Sequence, residues 1–148
     1  VGSEMCIRDS LGTYNMLGLA KRLKEEYPNI KVVGADPYGS ILGGGEEVYP
    51  YQVEGIGYDF FPDVLDNNLV DQYVKVNDED SFDIARQLIK KEGLLCGGSS
   101  GTVVWAALEE AKTLKKGQKC LCILADGIRN YMSKFVSDEW MKKNNFKI

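Results

Sequence analysis

A glycine-rich turn late in the chain constrains the fold more than any other segment. Residues 93–101 read Gly-Leu-Leu-Cys-Gly-Gly-Ser-Ser-Gly, and an apolar pattern with helical spacing follows from Thr102 to about Leu114. Glycine lacks the Cβ that would keep a neighbouring group away, so this backbone can approach a ligand closely. The following helix would direct its free N–H groups and the positive end of its dipole at the turn. The turn is therefore either a site for a polar or anionic ligand or a plain helix N-cap.

Composition and charge exclude several classes of protein. The 148 residues carry a net charge of −4, so no basic surface for nucleic acid is expected. No apolar run approaches the ~20 residues that span a bilayer, and the N-terminus lacks the basic and apolar regions of a secretory signal. We therefore expect no membrane partner, a cytoplasmic location, and cysteines that are reduced thiols.

The chain has no histidine, which removes the commonest metal ligand and the commonest general base. Cys120 and Cys122 form a Cys-x-Cys pair inside a strand-like run, where residues two apart share one face. A metal site would need further cysteines at suitable spacing. We expect two small buried residues here and no metal site.

Helical and strand patterns alternate along the chain after the first ten residues. Residues 1–10 lead into no periodicity and resemble a tag, an adapter translation or an assembly scar, so the predicted domain is 11–148. Its predicted elements are a helix around 16–27, strands at 30–35, 73–77 and 119–124, helices at 78–89 and 102–114, and a terminal helix around 135–141. Residues 40–62 form a long irregular region whose aromatic residues argue against disorder, so a functional loop is expected.

This alternation predicts an α/β fold with a mostly parallel twisted sheet and flanking helices. Ligands in such folds bind at the carboxyl ends of the strands. We expect the long loop, the turn at Ser99 and the turn at Asp126 to lie on that edge. A dinucleotide-binding domain is disfavoured, because no Gly-x-Gly-x-x-Gly follows a strand with an acid about 20 residues further on.

Three motifs in the same order resemble the cystathionine beta-synthase family. They are residues 53–60 (Val-Glu-Gly-Ile-Gly-Tyr-Asp-Phe), 92–99 (Glu-Gly-Leu-Leu-Cys-Gly-Gly-Ser) and 128–135 (Ile-Arg-Asn-Tyr-Met-Ser-Lys-Phe), and residues 36–42 fit the same family. The resemblance runs from about residue 17 to residue 140. It implies the C-terminal part of the catalytic domain of a fold-type-II pyridoxal-phosphate enzyme.

The resemblance implies a role for the glycine-rich turn in binding the cofactor. Ser99 matches the serine that bonds the pyridine nitrogen, with Gly97 and Gly98 in the same turn, and Asp126 matches an aspartate near the ring. A neutral hydroxyl does not force the ring nitrogen to carry a proton, as an aspartate would. The weaker electron withdrawal suits β-elimination and β-replacement better than transamination.

Two further segments are implied by the same resemblance. Gly55, Gly57 and Tyr58 match a loop beside the amino-acid substrate. The loop that wraps the cofactor phosphate aligns with residues 11–15, where Gly12 and Thr13 keep its character.

The implied reaction condenses serine with homocysteine to cystathionine and water, a β-replacement in transsulfuration, by an enzyme that is a homo-oligomer when complete. No lysine stands in a motif that matches the Schiff-base lysine, so no catalytic residue is named and the chain alone is expected to be inactive. Haem is not supported, since no histidine is present to ligate iron. The alternatives are a cysteine synthase, which uses O-acetylserine and sulfide, and a truncated non-catalytic paralogue that acts as an interaction module.

Overall fold

The computed structural model describes the backbone of residues 4–9, 13–63 and 65–148 and the side chains of residues 18–63 and 65–148. Within these ranges, four parallel strands form one sheet in the order β3-β2-β1-β4. The strands are β1 (Glu4–Asp9), β2 (Lys31–Pro37), β3 (Gln72–Val76) and β4 (Lys119–Ile123). The helices are α1 (Thr13–Glu26), α2 (Asp78–Gln87), α3 (Gly98–Ala111) and α4 (Asp138–Lys143). The predicted α/β class with a parallel sheet is confirmed.

Strand β1 is the main departure from the sequence analysis, which left residues 1–10 out of the fold. Its backbone pairs with both β2 and β4, so that Ile7 lies opposite Val33 on one side and Cys122 on the other. Its sequence, Glu-Met-Cys-Ile-Arg-Asp, has no alternation of apolar and polar residues, and the pairing with two neighbouring strands defines it as a strand. The origin of this segment outside the natural gene stays a prediction.

Two helices pack on opposite faces of the sheet. Because side chains alternate along a strand, Val32 packs with Ala20 of α1 while Val33 packs with Val103 and Ala106 of α3. At about 25 cal/mol per Å² of buried apolar surface, each of the buried valines stabilises the fold by roughly 1.5–3 kcal/mol. The two faces therefore hold α1 and α3 against the sheet.

Cys120 and Cys122 lie on the face of β4 that packs against the α3 cluster, as their spacing predicts. They are half-buried, so the expectation of two buried residues is wrong. The reason is the position of β4 at the edge of the described sheet, where no further strand covers its open side. Among the residues described, no three His, Cys, Asp or Glu side chains are grouped as metal ligands.

An aromatic cluster joins the C-terminal segment to α2. Phe82 of α2 stacks on Phe135 with ring centroids 5.4 Å apart, and Trp140 and Phe146 meet the same ring edge-on at 5.6 and 5.2 Å. The predicted terminal helix begins only at Asp138, because the hydroxyl of Ser137 caps it. Phe135 thus contributes to the core before the helix begins.

Helix α3 begins at Gly98, four residues before the predicted start. Its first turn packs so closely on α2 that a Cβ at Gly101 would collide with the carbonyl oxygen of Ser81 and lie 2.8 Å from the nitrogen of Ala85. Gly101 is therefore a helix-packing residue, although the sequence analysis placed it in a turn. No helix in the described part of the chain is long and apolar enough to cross a membrane.

Candidate cofactor and substrate site

The carboxyl ends of the strands bring the long loop, the glycine turn and the turn after β4 to one edge. The N–H of Gly97 donates to the carbonyl oxygen of Asp126 at 3.1 Å. The carboxylate of Asp78, which opens α2 after β3, accepts the N–H groups of Gln52 at 2.6 Å and Val53 at 3.0 Å. The three segments thus meet where the parallel strands end, as the fold class requires.

Gly97 is needed because a carboxylate lies directly over it. A Cβ at Gly97 would collide with Oδ1 of Asp126 and come within 2.8 Å of the ring of Tyr131. The hydroxyl of Tyr131 donates to Oδ2 of Asp126 at 2.6 Å and holds the carboxylate in this place. The sequence analysis gave Tyr131 no role, although it lies in one of the three motifs.

Three buried side-chain oxygens at this turn have no hydrogen-bond partner. They are the hydroxyls of Ser99 and Ser100, two residues with 0% exposure in the first turn of α3, and Oδ1 of Asp126. Buried polar groups are nearly always bonded, so an unbonded buried hydroxyl beside the free N–H groups of a helix is a specific feature. These atoms fit a ligand that offers a polar atom on a flat ring, as the pyridine of pyridoxal phosphate does.

The thiol beside the turn adds no charge to it. Cys96 directly precedes Gly97 and is 4% exposed. Burial raises the pKa of its thiol. Cys96 therefore stays protonated at neutral pH, and the turn offers neutral hydroxyl and N–H groups next to the Asp126 carboxylate.

The predicted substrate loop depends on two glycines with positive φ. Gly55 has φ 84° and Gly57 has φ 74°, a conformation that side chains other than glycine adopt rarely. A Cβ at Gly57 would also come within 2.7 Å of Pro37 and 2.9 Å of the Cβ of Ser40. The loop therefore lies directly on the turn that ends β2.

The phenol of Tyr51 supports the same loop from the side. Its hydroxyl donates to the carbonyl oxygen of Ile56 at 2.9 Å. Burial and the neighbouring carboxylate of Asp36 raise the pKa of Tyr51, so the phenol keeps the proton that this bond needs. Tyr51 and Tyr58 also line an open groove of about 440 Å³ beside the loop.

The loop and the glycine turn share one hydrophobic support. Ile56 of the loop is 4% exposed and belongs to the same buried cluster as Phe82 and Tyr131. Glu54 and Lys134 form an ion pair at the outer end of the loop. Tyr131 therefore contacts the support of the loop with its ring and fixes Asp126 with its hydroxyl.

Comparison with known proteins identifies the family. The family model described as "Pyridoxal-phosphate dependent enzyme" matches residues 11–126. The chain belongs to the pyridoxal-phosphate-dependent enzymes. It is 52% identical over 146 residues to a cystathionine beta-synthase of Dictyostelium discoideum, and the match covers 96% of this chain. It is 45% identical over 117 residues to a cysteine synthase of Helicobacter pylori, and that match covers 79% of this chain. Among solved structures, an O-acetylserine-dependent cystathionine beta-synthase from Helicobacter pylori covers 89% of the chain with a TM-score of 0.82 and 40% identity.

These relatives are longer than the chain. The match spans 29% of the Dictyostelium protein, 38% of the Helicobacter cysteine synthase and 43% of the solved structure. The resemblance stated from the motifs is confirmed at the level of the family, and so is pyridoxal phosphate as the family's cofactor.

Part of the predicted cofactor site lies outside the described residues. Gly12 is not among them, and for Thr13 only the backbone is described, as the first residue of α1. The phosphate loop at these two residues therefore stays a prediction. The assignments of Gly97, Gly98, Ser99 and Asp126 also stay predictions, which their common location and the unbonded atoms described above support.

Three polar residues under the predicted substrate loop had no role in the sequence analysis. They are Asp36, Ser40 and Lys75, which bond to one another and to the loop. A signal for one of them was present in the sequence, because Lys75 stands between two valines inside the predicted strand 73–77. Charged residues in a strand core are rare unless they are paired.

Proposed function

We propose that the chain is the C-terminal portion, residues 11–148, of the catalytic domain of a pyridoxal-phosphate-dependent enzyme that condenses serine with homocysteine to cystathionine and water. The observation that carries the proposal is the buried, unbonded hydroxyl of Ser99 in the first turn of α3. The similarity to the Dictyostelium cystathionine beta-synthase supports the choice of reaction.

Ser99 would set the electronic character of the cofactor. When bound, pyridoxal phosphate supplies an electron-accepting ring that stabilises negative charge at the α-carbon of an amino acid. The hydroxyl of Ser99 would donate to the unprotonated ring nitrogen, and its neutral charge would leave that nitrogen without a proton. Gly97 and Gly98 would let the ring approach the backbone, because neither carries a side chain.

Asp126 would act beside the same ring through its second oxygen. Tyr131 holds Oδ2 at 2.6 Å, which leaves Oδ1 buried without a protein donor. A carboxylate held this firmly keeps its distance from the ring constant during turnover, which is the purpose of preorganised polar groups in active sites. We propose that Tyr131 orients Asp126 and has no contact with the cofactor itself.

The loop at Gly55, Gly57 and Tyr58 would hold the amino-acid substrate. Its glycines expose backbone N–H and C=O groups without the shielding of side chains. The aromatic side chains of the adjoining groove, Tyr49, Tyr51 and Tyr58, would keep water away from the reacting carbon.

We propose that the lysine that binds the cofactor covalently lies in a part of the protein that corresponds to the unmatched segments of the relatives. Lys75 and Lys134 lie next to the substrate loop, but carboxylates bind both ammonium groups, with Lys75 on Asp36 and Lys134 on Glu54. Each ion pair would have to break before its lysine could attack the cofactor. The chain alone is therefore proposed to lack turnover and to give no borohydride-stable adduct at one specific lysine with pyridoxal phosphate.

Substitution of Ser99 by aspartate tests the proposal in the protein expressed from its whole gene. Ser99→Asp places a carboxylate at the ring nitrogen. We expect kcat for cystathionine formation to fall by about tenfold or more. Ser137→Asp is the matched control, because Ser137 caps α4 and aspartate caps a helix equally well. Near-normal turnover of Ser99→Asp with bound cofactor would contradict the role of Ser99.

The second candidate function is that of a cysteine synthase or another enzyme that uses O-acetylserine. The relatives from Helicobacter pylori, a cysteine synthase and an O-acetylserine-dependent cystathionine beta-synthase, favour it. Mass spectrometry separates the alternatives: cystathionine from serine and homocysteine supports the first, and product only with O-acetylserine supports the second. A protein that binds no pyridoxal phosphate would support the non-catalytic module.

A further inference from the structure

A buried ion pair occupies the ends of β2 and β3 below the substrate loop. Asp36 is 1% exposed, and its Oδ2 accepts Nζ of Lys75 at 2.6 Å and the N–H of Gly43 at 2.9 Å. The same ammonium group donates to the carbonyl oxygen of Ser40 and, at 3.5 Å, to that of Pro37. The Lys75 ammonium group thus bonds both the end of β2 and the turn that follows it.

Ser40 connects this turn to the substrate loop. It is 2% exposed, and its hydroxyl oxygen accepts the N–H of Tyr58 at 3.1 Å and that of Leu42 at 3.3 Å. The next residue, Ile41, donates its N–H to the carbonyl oxygen of Tyr58 at 3.0 Å. Both backbone polar groups of Tyr58 are therefore bonded to residues of this turn.

The position of the turn depends on the charge of Lys75. Asp36 is almost completely buried, and a buried carboxylate is costly unless a cation and hydrogen bonds compensate it. Lys75 supplies the cation from β3, the strand next to β2 at the edge of the described sheet, so its bond to Ser40 ties the turn to a second strand. The chain of contacts runs from the sheet through Lys75 and Ser40 to Tyr58.

We propose that Lys75, Asp36 and Ser40 are positioning residues that fix the loop at Gly55–Tyr58 and so set its affinity for the amino-acid substrate. The inference rests on the substrate role of the loop proposed above. Among the described residues, no hydrogen bond of this network reaches the glycine turn or Asp126, so we expect its main effect on substrate binding.

Two variants of the protein from the whole gene, with cofactor bound, test the proposal. Ser40→Ala removes the acceptor of the Tyr58 amide and keeps the ion pair. The double variant Lys75→Met with Asp36→Asn removes both charges together, so no buried carboxylate is left unpaired. In both, we expect amide hydrogen exchange at Tyr58 without substrate to rise about five- to tenfold, the effect of losing one hydrogen bond. We expect KM for the amino acid to rise about threefold or more while kcat changes less than about twofold.

A second ion pair at the opposite end of the sheet provides the matched control. Lys24 binds Asp71 at 2.7 Å, and Asp71 accepts the N–H of Val32 at 2.7 Å, so this pair also anchors backbone. The side chains of Lys24 and Lys75 are similarly exposed, at 25% and 20%. Lys24→Met should leave the exchange rate of Tyr58 and the KM unchanged.

The two readouts separate the network from the proposed function. Unchanged exchange at Tyr58 in Ser40→Ala overturns the positioning role, whatever the activity. Faster exchange with an unchanged KM supports the positioning of the loop and counts against its role in substrate binding. Faster exchange that Lys24→Met reproduces reflects general loosening of the fold and also overturns the proposal.

Discussion

Replacement of Gly101 by alanine should destabilise the protein, although alanine is the better helix former. Gly101 lies in the first turn of α3, against α2. A Cβ there would collide with the carbonyl oxygen of Ser81 and lie 2.8 Å from the nitrogen of Ala85. Both blocking atoms belong to the backbone of α2, so no side chain can rotate away and the two helices must separate.

The magnitude follows from three contributions to the free energy of unfolding. Overpacking a tight core contact costs about 1–3 kcal/mol. Separation of the helices also stretches the hydrogen bond from the hydroxyl of Thr102 to that of Ser81, now 2.8 Å long and worth about 1 kcal/mol. The better helix propensity of alanine offsets about 1 kcal/mol of this loss. We expect a net loss of about 2–3 kcal/mol, in the upper part of the range because backbone blocks the way.

Urea unfolding at equilibrium measures this loss, with Gly18→Ala as the matched control. Gly18 is also a glycine inside a helix, but it is exposed and no atom lies within 4 Å of a Cβ built there. Gly18→Ala should therefore stabilise the protein by up to about 1 kcal/mol. A loss below about 1 kcal/mol for Gly101→Ala, or shifts of the same sign in both variants, would refute the packing argument.

Two further perturbations test the core and an ion pair. Phe82→Ala in the aromatic cluster should lower the free energy of unfolding in urea by about 3–5 kcal/mol. Phe60→Ala, at an exposed ring, should change it by less than about 0.5 kcal/mol. Similar losses in the two variants would contradict the role of the cluster in stability. Burial alone would raise the pKa of Asp71, but the Lys24 ammonium and the Val32 amide hold it below its ordinary value. The stability that Asp71 contributes is therefore present above about pH 4 and is lost as the pH falls through the lowered folded-state pKa. In Asp71→Asn, the free energy of unfolding should therefore depend less on pH in this acid range. An unchanged pH dependence would contradict the pairing.

The fold class and the sheet edge that carries the site could be predicted from the sequence, because both depend on local patterns. Apolar spacing marked the helices and strands, and a parallel α/β sheet brings the segments after its strands to one edge. Ser99 and Asp126 could be named on motif resemblance, and the structure places their turns in contact.

Contacts between segments that are far apart in the sequence could not be predicted from it. Tyr131 is one aromatic residue among many until the fold brings its hydroxyl to Asp126. Gly101 has the appearance of a turn glycine, and only the approach of α2 makes it a packing residue. Lys75 and Asp36 are 39 residues apart, and the pairing of β2 with β3 brings them together.

The sequence by itself determined the alternation of helices and strands, the family and the residue types available for cofactor chemistry, because these follow from periodicity and motif order. The tertiary structure decided which polar atoms are buried without a partner, which glycines are required by close approach, and how Lys75 and Ser40 connect to the loop at Tyr58. The physical reason is that burial and hydrogen bonding depend on distances between segments, and only the folded chain defines those distances.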